Sequence, residues 1–412
     1  MPQNFLASST RTLLPCLLLA GCLIGCAGPR HAKTPYAPRQ DLAAAQERAE
    51  ALAAGGYTAE APTSLTLSLQ QWVLKGESVP VSLAFPSSGR GVPLLVYLPG
   101  LGESAQAGAH WRHAWARAGY AVLSLQALET DAQAWSSPLA RSAEFKALAL
   151  QHQQPGLRTE RLRLLAHALQ EARARAKAGD SLWSRVDFER MALAGYDLGA
   201  DTALAWADAA SDGSAQALPR PQALILLSPQ MPPPESSVAD SPAPPGLRLP
   251  LLAISSRRDT DPTGLIGSPA QRIAFFSRLT ASGDKYLLLL NSSSHAALAG
   301  ASGMEEAPNE PTSGRGMSGG NAGNASRGNR GGNSSGGNSR GGGMQDHRGN
   351  GQMAPAPAPL LRDNGNQEAG VAIEHSSIAF LDAHVRGRPE AQRWLQLRPS
   401  VWLASLAEWR LR

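Results

Sequence analysis

The sequence predicts an α/β protein, a mostly parallel β-sheet covered by helices on both faces. Three observations lead there. From Leu65 to Leu290, apolar runs bounded by turn residues alternate with stretches of helical periodicity. Several of those runs, such as Pro93-Leu94-Leu95-Val96-Tyr97-Leu98, are apolar without alternation, as strands covered on both faces require. All three cysteines, Cys16, Cys22 and Cys26, lie in the first 26 residues, so the rest of the 412-residue chain has neither a disulfide framework nor a Cys-based zinc site. At 42% hydrophobic residues the chain can bury one core of catalytic size with material left over.

The chain opens with Arg11 and an apolar run from Leu13 to Ile24 broken by Pro15, too short to span a bilayer and suited to a secretory signal over residues 1–26. Leu19-Ala20-Gly21-Cys22 and Leu23-Ile24-Gly25-Cys26 both resemble the lipobox of bacterial lipoproteins. That resemblance implies diacylation of Cys22 or Cys26 and a lipid anchor holding the chain at a membrane of the cell envelope, each buried methylene contributing about 0.8 kcal/mol.

Residues 27–60 read as a tether with a small helix over Asp41–Ala54, Asp41 as its N-cap and Gly55-Gly56 as its stop. Strands are predicted at Leu65–Val73, Val79–Phe85, Pro93–Leu98, Ala121–Leu125, Met191–Tyr196, Ala223–Leu227, Pro250–Ile254 and Lys285–Asn291, the last of the sheet. Helices are predicted at His110–Ala118, Thr159–Ala176, Leu198–Ala209 and Ala270–Leu279. Together these fill a domain spanning residues 61–300.

Composition then changes. Of the 39 residues from Ser313 to Gly351, 32 are Gly, Asn, Ser or Arg, too polar to offset the entropy of ordering them, so residues 301–370 are expected to be a disordered insert. Arg330-Gly331-Gly332 and Arg340-Gly341-Gly342 look like RGG segments, but the insert has no aromatic residue for stacking on bases, and no nucleic-acid partner is expected. The net charge of +5 rests on 38 basic residues of which five are Lys, a bias that GC-rich coding also produces. Apolar periodicity returns at Val371, and residues 371–412 are expected to complete the domain with helices.

The chemistry concentrates in Gly195-Tyr196-Asp197-Leu198-Gly199, where a strand runs into a helix. Small residues two positions either side of a central residue let the backbone bend sharply, so that the central side chain projects above the sheet and the next N–H faces a bound oxygen. An N-capping Asp in an ordinary turn has the same local sequence. Downstream, Asp259 follows a strand in Arg257-Arg258-Asp259-Thr260-Asp261, with Asp261 as its substitute, and His295 follows the strand after that. Nucleophile, acid and His thus come in the chain order of a catalytic triad. Pro99-Gly100-Leu101-Gly102 could aim the Leu101 N–H at the same place, making Leu101 and Leu198 a candidate oxyanion-hole pair.

On these stretches the chain resembles the α/β-hydrolase superfamily, more narrowly bacterial dienelactone-hydrolase-like and platelet-activating-factor-acetylhydrolase-like proteins, over Leu94–His295 and from Val371 to the end. The resemblance implies a hydrolase acting on a small-molecule substrate with no cofactor and no metal. Such relatives usually place Ser or Cys where this chain has Asp197. A carboxylate attacking an ester forms a mixed anhydride, and the adduct expels the carboxylate before the alkoxide, so ester hydrolysis through Asp197 is disfavoured. A carboxylate can displace a leaving group at saturated carbon, after which His295 activates water against the alkyl-enzyme ester. Haloalkane dehalogenases and epoxide hydrolases of the superfamily work this way, commonly with Trp after the Asp and a cap bearing aromatic donors. Here Leu198 follows, and Pro229–Leu249 is short, Pro-rich and without an aromatic residue, so no leaving-group donor is identified. Two expectations remain: a membrane-anchored hydrolase with an Asp-His-Asp constellation, or an inactive hydrolase-fold binding or scaffold protein.

Overall fold

The computed structural model describes residues 40–59, 63–212, 219–230, 249–279, 281, 284–300 and 364–412. Cys22, Cys26, the insert from Ser313 to Gly351 and most of Pro229–Leu249 lie outside them. In chain order the elements are α1 (Gln40–Gly55), β1 (Leu65–Leu74), β2 (Glu77–Pro86), β3 (Val92–Leu98), α2 (Ala109–Arg117), β4 (Ala121–Leu125), α3 (Glu129–Ala132), α4 (Pro138–Arg141), α5 (Phe145–His152), α6 (Pro155–Lys177), β5 (Val186–Tyr196) and α7 (Leu198–Asp212). They continue as β6 (Ala223–Leu227), β7 (Leu251–Arg258), α8 (Pro269–Arg278), β8 (Lys285–Ser294), α9 (His295–Leu298), α10 (Asn364–His384), α11 (Pro389–Leu397), α12 (Pro399–Leu403) and β9 (Ala407–Leu411).

The nine strands form one sheet in the order β1-β2-β4-β3-β5-β6-β7-β8-β9. From β4 across to β8 every pairing is parallel, and the antiparallel pairs sit at the two edges. The unalternating apolar runs are the central strands, each buried throughout, and their pleat divides them between two cores. Leu94, Val96 and Leu98 of β3 join Leu165 of α6, Trp206 of α7 and Phe276 of α8 on one face. Leu95 and Tyr97 join Trp115 of α2, Phe380 of α10 and Leu395 of α11 on the other. This is the three-layer α/β architecture the periodicities predict.

Three expectations are corrected. The 27–60 segment is no loose tether in its described part, because α1 buries Ala45 and Ala49, and its Leu52 carbonyl accepts the Trp402 Nε1–H at 2.7 Å. The C-terminal region is not helical to its end, since β9 pairs antiparallel with β8 and closes the sheet edge. Strand β8 also runs on to Ser294, past the polar Asn291-Ser292-Ser293 stretch, so His295 opens α9 and is not in a loop.

Between β4 and α6, helices α3 to α5 were not foreseen. They are pinned by buried Asp131, which takes His152 Nδ1 at 2.7 Å and Arg161 at 2.6 and 2.9 Å. Burial alone would raise the Asp131 pKa, but the hydrogen bonds from Arg161 and His152 outweigh it and hold the carboxyl below its usual range. The Asp131 carbonyl also accepts the Gly102 N–H at 2.8 Å, so this cluster fixes the loop after β3 that borders the site.

Candidate active site

Asp197 joins β5 to α7 in the left-handed region, with φ of 50°. Asp enters that region more readily than most residues, but a simple N-cap does not require what surrounds it. A methyl group on Gly195 would stand 2.2 Å from the Gly199 carbonyl oxygen, and one on Gly199 would stand 2.0 Å from the Leu98 carbonyl oxygen. Both glycines are therefore required by the crossing of helix and strands, as the spacing predicts. The Asp197 N–H donates to the Leu227 carbonyl at 3.0 Å, and the Ala200 and Asp201 N–H groups donate to the Asp197 carbonyl, which fixes the turn.

The Asp197 carboxylate is anchored through one oxygen. Oδ1 accepts from Gln230 Nε2 and lies 3.9 Å from Arg272 Nη1. Gln230 is oriented in turn by the Gln153 amide, which donates to its Oε1. Among the described residues no donor takes Oδ2, and the side chain keeps 11% of its surface accessible.

His295 and Asp259 come together as predicted, with Nδ1 and Oδ1 2.8 Å apart. An ionised carboxylate only accepts, so Nδ1 carries the proton and Nε2 the lone pair of a general base. Asp259 is fully buried; Ser228 Oγ donates to its Oδ1 and Ser255 Oγ to its Oδ2, both at 2.8 Å. Burial pushes its pKa up, but the bonds from His295 and Ser255 and the charge of Arg272 bring it below the ordinary range. Of the two candidate acids it is Asp259 that pairs with His295, whereas Asp261 accepts from the Thr263 and Ile266 N–H groups of its own turn at 2.9 and 2.7 Å.

The Leu101 and Leu198 N–H groups take no protein acceptor among the described residues, and the Leu101 and Leu198 side chains pack in one small apolar cluster with Ala134 and Leu148. The neighbouring Gly100 N–H is occupied, donating to Glu103 Oε2 at 2.8 Å.

Sequence reasoning missed Arg272, Ser228, Gln230, Ser255 and Glu103. Each is a lone polar residue in a loop, helix or strand end, and only the fold reveals its partners. Glu103 is half-buried, and its carboxyl is pushed up to about 7, chiefly by burial and then by the charge of Asp197. Asp201, one helical turn into α7, is raised to about 7 for the same two reasons. Among the described residues no three carboxylate, imidazole or thiol groups are arranged to hold a metal ion. Comparison with protein-family models and with curated protein sequences finds no match to the chain.

Proposed function

We propose that the chain is an α/β-hydrolase-fold enzyme in which Asp197 attacks an electrophilic saturated carbon, Asp259 orients His295, and His295 activates the water that releases the product. The observation that carries this reading is the division of labour between the Asp197 oxygens. Oδ1 is held by Gln230 and faces Arg272, while Oδ2, on a strained turn, has no donor among the described residues. The order of the parts, after β5, β7 and β8 of one sheet, agrees with it.

In the first step Asp197 Oδ2 bonds to carbon and the leaving group departs with its electron pair. In the second, His295 Nε2 takes a proton from water, the hydroxide adds to Cγ of the Asp197 side-chain ester, and the alkyl oxygen leaves with the proton held by His295. The experiment is a panel of epoxides, primary haloalkanes and activated esters. Asp197→Asn should abolish turnover of any substrate found, and His295→Gln should accumulate an alkyl ester on Asp197 seen by intact mass. Unchanged activity in Asp197→Asn with no adduct in His295→Gln would overturn the assignment.

A second reading, a binding or scaffold protein that has lost turnover, is favoured by the double hold on Oδ1, since a purely structural carboxylate is held the same way. Under it Asp197→Asn keeps ligand affinity, and no member of the panel is consumed. We also propose attachment to a membrane through a lipid on Cys22 or Cys26; a processed protein starting after Cys26 without lipid would end that idea.

A further inference from the structure

The proposed displacement lacks one part, a donor for the departing atom, and we infer that Glu103, on the loop that abuts the Asp197 turn, is that donor and hands its carboxyl proton to a poor, alkoxide-like leaving group. This rests on the nucleophile reading of Asp197.

The geometry comes from the loop after β3. Glu103 Oε2 accepts the Gly100 N–H at 2.8 Å, which fixes the carboxyl against that turn. A methyl group on Gly100 would meet Tyr196 Cδ1 at 2.8 Å and Glu103 Oε2 at 3.2 Å, so ring and carboxyl rest against the same glycine. Tyr196 immediately precedes Asp197, its ring lies 5.1 Å from the His295 ring, and its hydroxyl donates to the His295 carbonyl at 3.0 Å. The Tyr196 ring, one residue before the nucleophile, thus lies against both the Gly100 turn that holds Glu103 and the His295 ring. The loop is held from behind as well, with Gln126 Nε2 donating to the Gly100 carbonyl at 2.9 Å and the Gly102 N–H to Asp131.

The chemistry follows from occupancy. With Oε2 accepting from Gly100, a proton on this carboxyl sits on Oε1, which has no protein partner among the described residues. The charges of Asp197 and His295 act on Glu103, and the Glu103 charge in turn acts on the phenols of Tyr97 and Tyr196. Burial and the Asp197 charge favour its neutral form, His295 and the Gly100 hydrogen bond its ionised form, and the balance leaves it near 7. An acid so placed donates at neutral pH, where an ordinary Glu is already ionised.

For an epoxide the step balances as follows. Asp197 Oδ2 bonds to a ring carbon, the C–O bond breaks, and the ring oxygen takes the Glu103 proton. Water then opens the ester as described above. Its second proton, released as the regenerated Asp197 acid ionises, returns Glu103 to its neutral form, and the net reaction is epoxide plus water to diol. A bromide or iodide leaves as a stable anion and needs no such proton.

The test compares leaving groups in the full-length protein. Glu103→Gln should lower kcat for an epoxide probe by about 100-fold or more while changing turnover of a primary alkyl bromide or iodide by less than about threefold. Epoxide turnover by the parent should fall as pH rises through about 7, and halide turnover should show no such limb. Retained halide activity shows that the variant is folded. Equal losses on both probes would overturn the role of Glu103 while leaving Asp197 in place. A parent that consumes neither probe would remove the displacement reading, and the proton donor with it.

Discussion

Arg272 Nε stands 3.5 Å from Asp259 Oδ1, and both side chains are sealed from solvent. The same guanidinium lies 3.9 Å from Asp197 and 3.9 Å from Asp261, and its Nη1 donates to the Ser228 carbonyl at 2.8 Å. One buried cation thus serves three carboxylates, from α8 to the ends of β5, β6 and β7. Replacing it by an apolar side chain strands those charges. Arg272→Met is expected to cost about 3–5 kcal/mol in urea unfolding, and Arg272→Lys to recover only part, because an ammonium cannot span the three sites.

The elbow glycines give a contrast within one residue type. Gly199→Ala must push helix α7 off the Leu98 carbonyl, so it should destabilise strongly and abolish any activity. Gly156, in the first turn of α6, has open space where a methyl group would go. Gly156→Ala should be neutral or stabilise by up to about 1 kcal/mol. Thermal melts of the two variants decide it.

Asp201 supplies a pH dependence. Its carboxyl, ordinarily at 3.8, is raised to about 7, so between those values the folded chain holds a proton that the unfolded chain has released. The stability this group contributes is full below 3.8 and is lost as pH rises through about 7. Asp201→Asn cannot lose a proton, so the variant should gain on the parent as pH rises from 4.5 to 8. His113, lowered to about 4 by burial, acts in the opposite sense over part of that range. The informative measurement is therefore the difference in Tm between variant and parent.

The central strands were legible because burial on both faces removes the need for polar alternation, and Gly195-x-Asp197-x-Gly199 because a crossing this close excludes a Cβ. Strand β9 was hidden by the opposite circumstance: it is an edge strand with Glu408 half-buried and Arg410 exposed to solvent, and its pattern is too short to separate from a helix end. The polar end of β8 misled in the same way, since Ser292 to Ser294 read as turn residues yet continue the strand. His295 and Asp259 could be named from chain order alone. Arg272 and Glu103 could not, because their meaning lies in what other elements bring to them.

Asp382 of α10 collects a second buried cluster, accepting from Tyr57 at 2.9 Å, Tyr120 at 2.7 Å and Arg386 at 2.9 Å. It joins the segment after α1, the start of β4 and the end of α10. Burial first, then the Asp382 charge, raises both phenols above their ordinary range, so both remain donors throughout the working pH range. Tyr120→Phe should cost about 1.5–3 kcal/mol, the range for a bond to a charged partner. The double variant with Tyr57→Phe should depart from additivity, as shared acceptors do, in urea titrations of all four proteins.

Strand β8, which leads directly to His295, has β9 as its outer neighbour, with Leu290 opposite Ala407 and the backbone of Lys285 exchanging hydrogen bonds with Arg412. The strand that closes this edge thus comes from a distant part of the chain, beyond the helices α9 to α12 that follow β8. Until β9 docks, β8 presents an open, apolar border, the kind of edge to which another strand adds. Substitutions that loosen β9 are therefore expected to uncover the flank of the strand that carries His295, and to show first as self-association and only then as a change at the site.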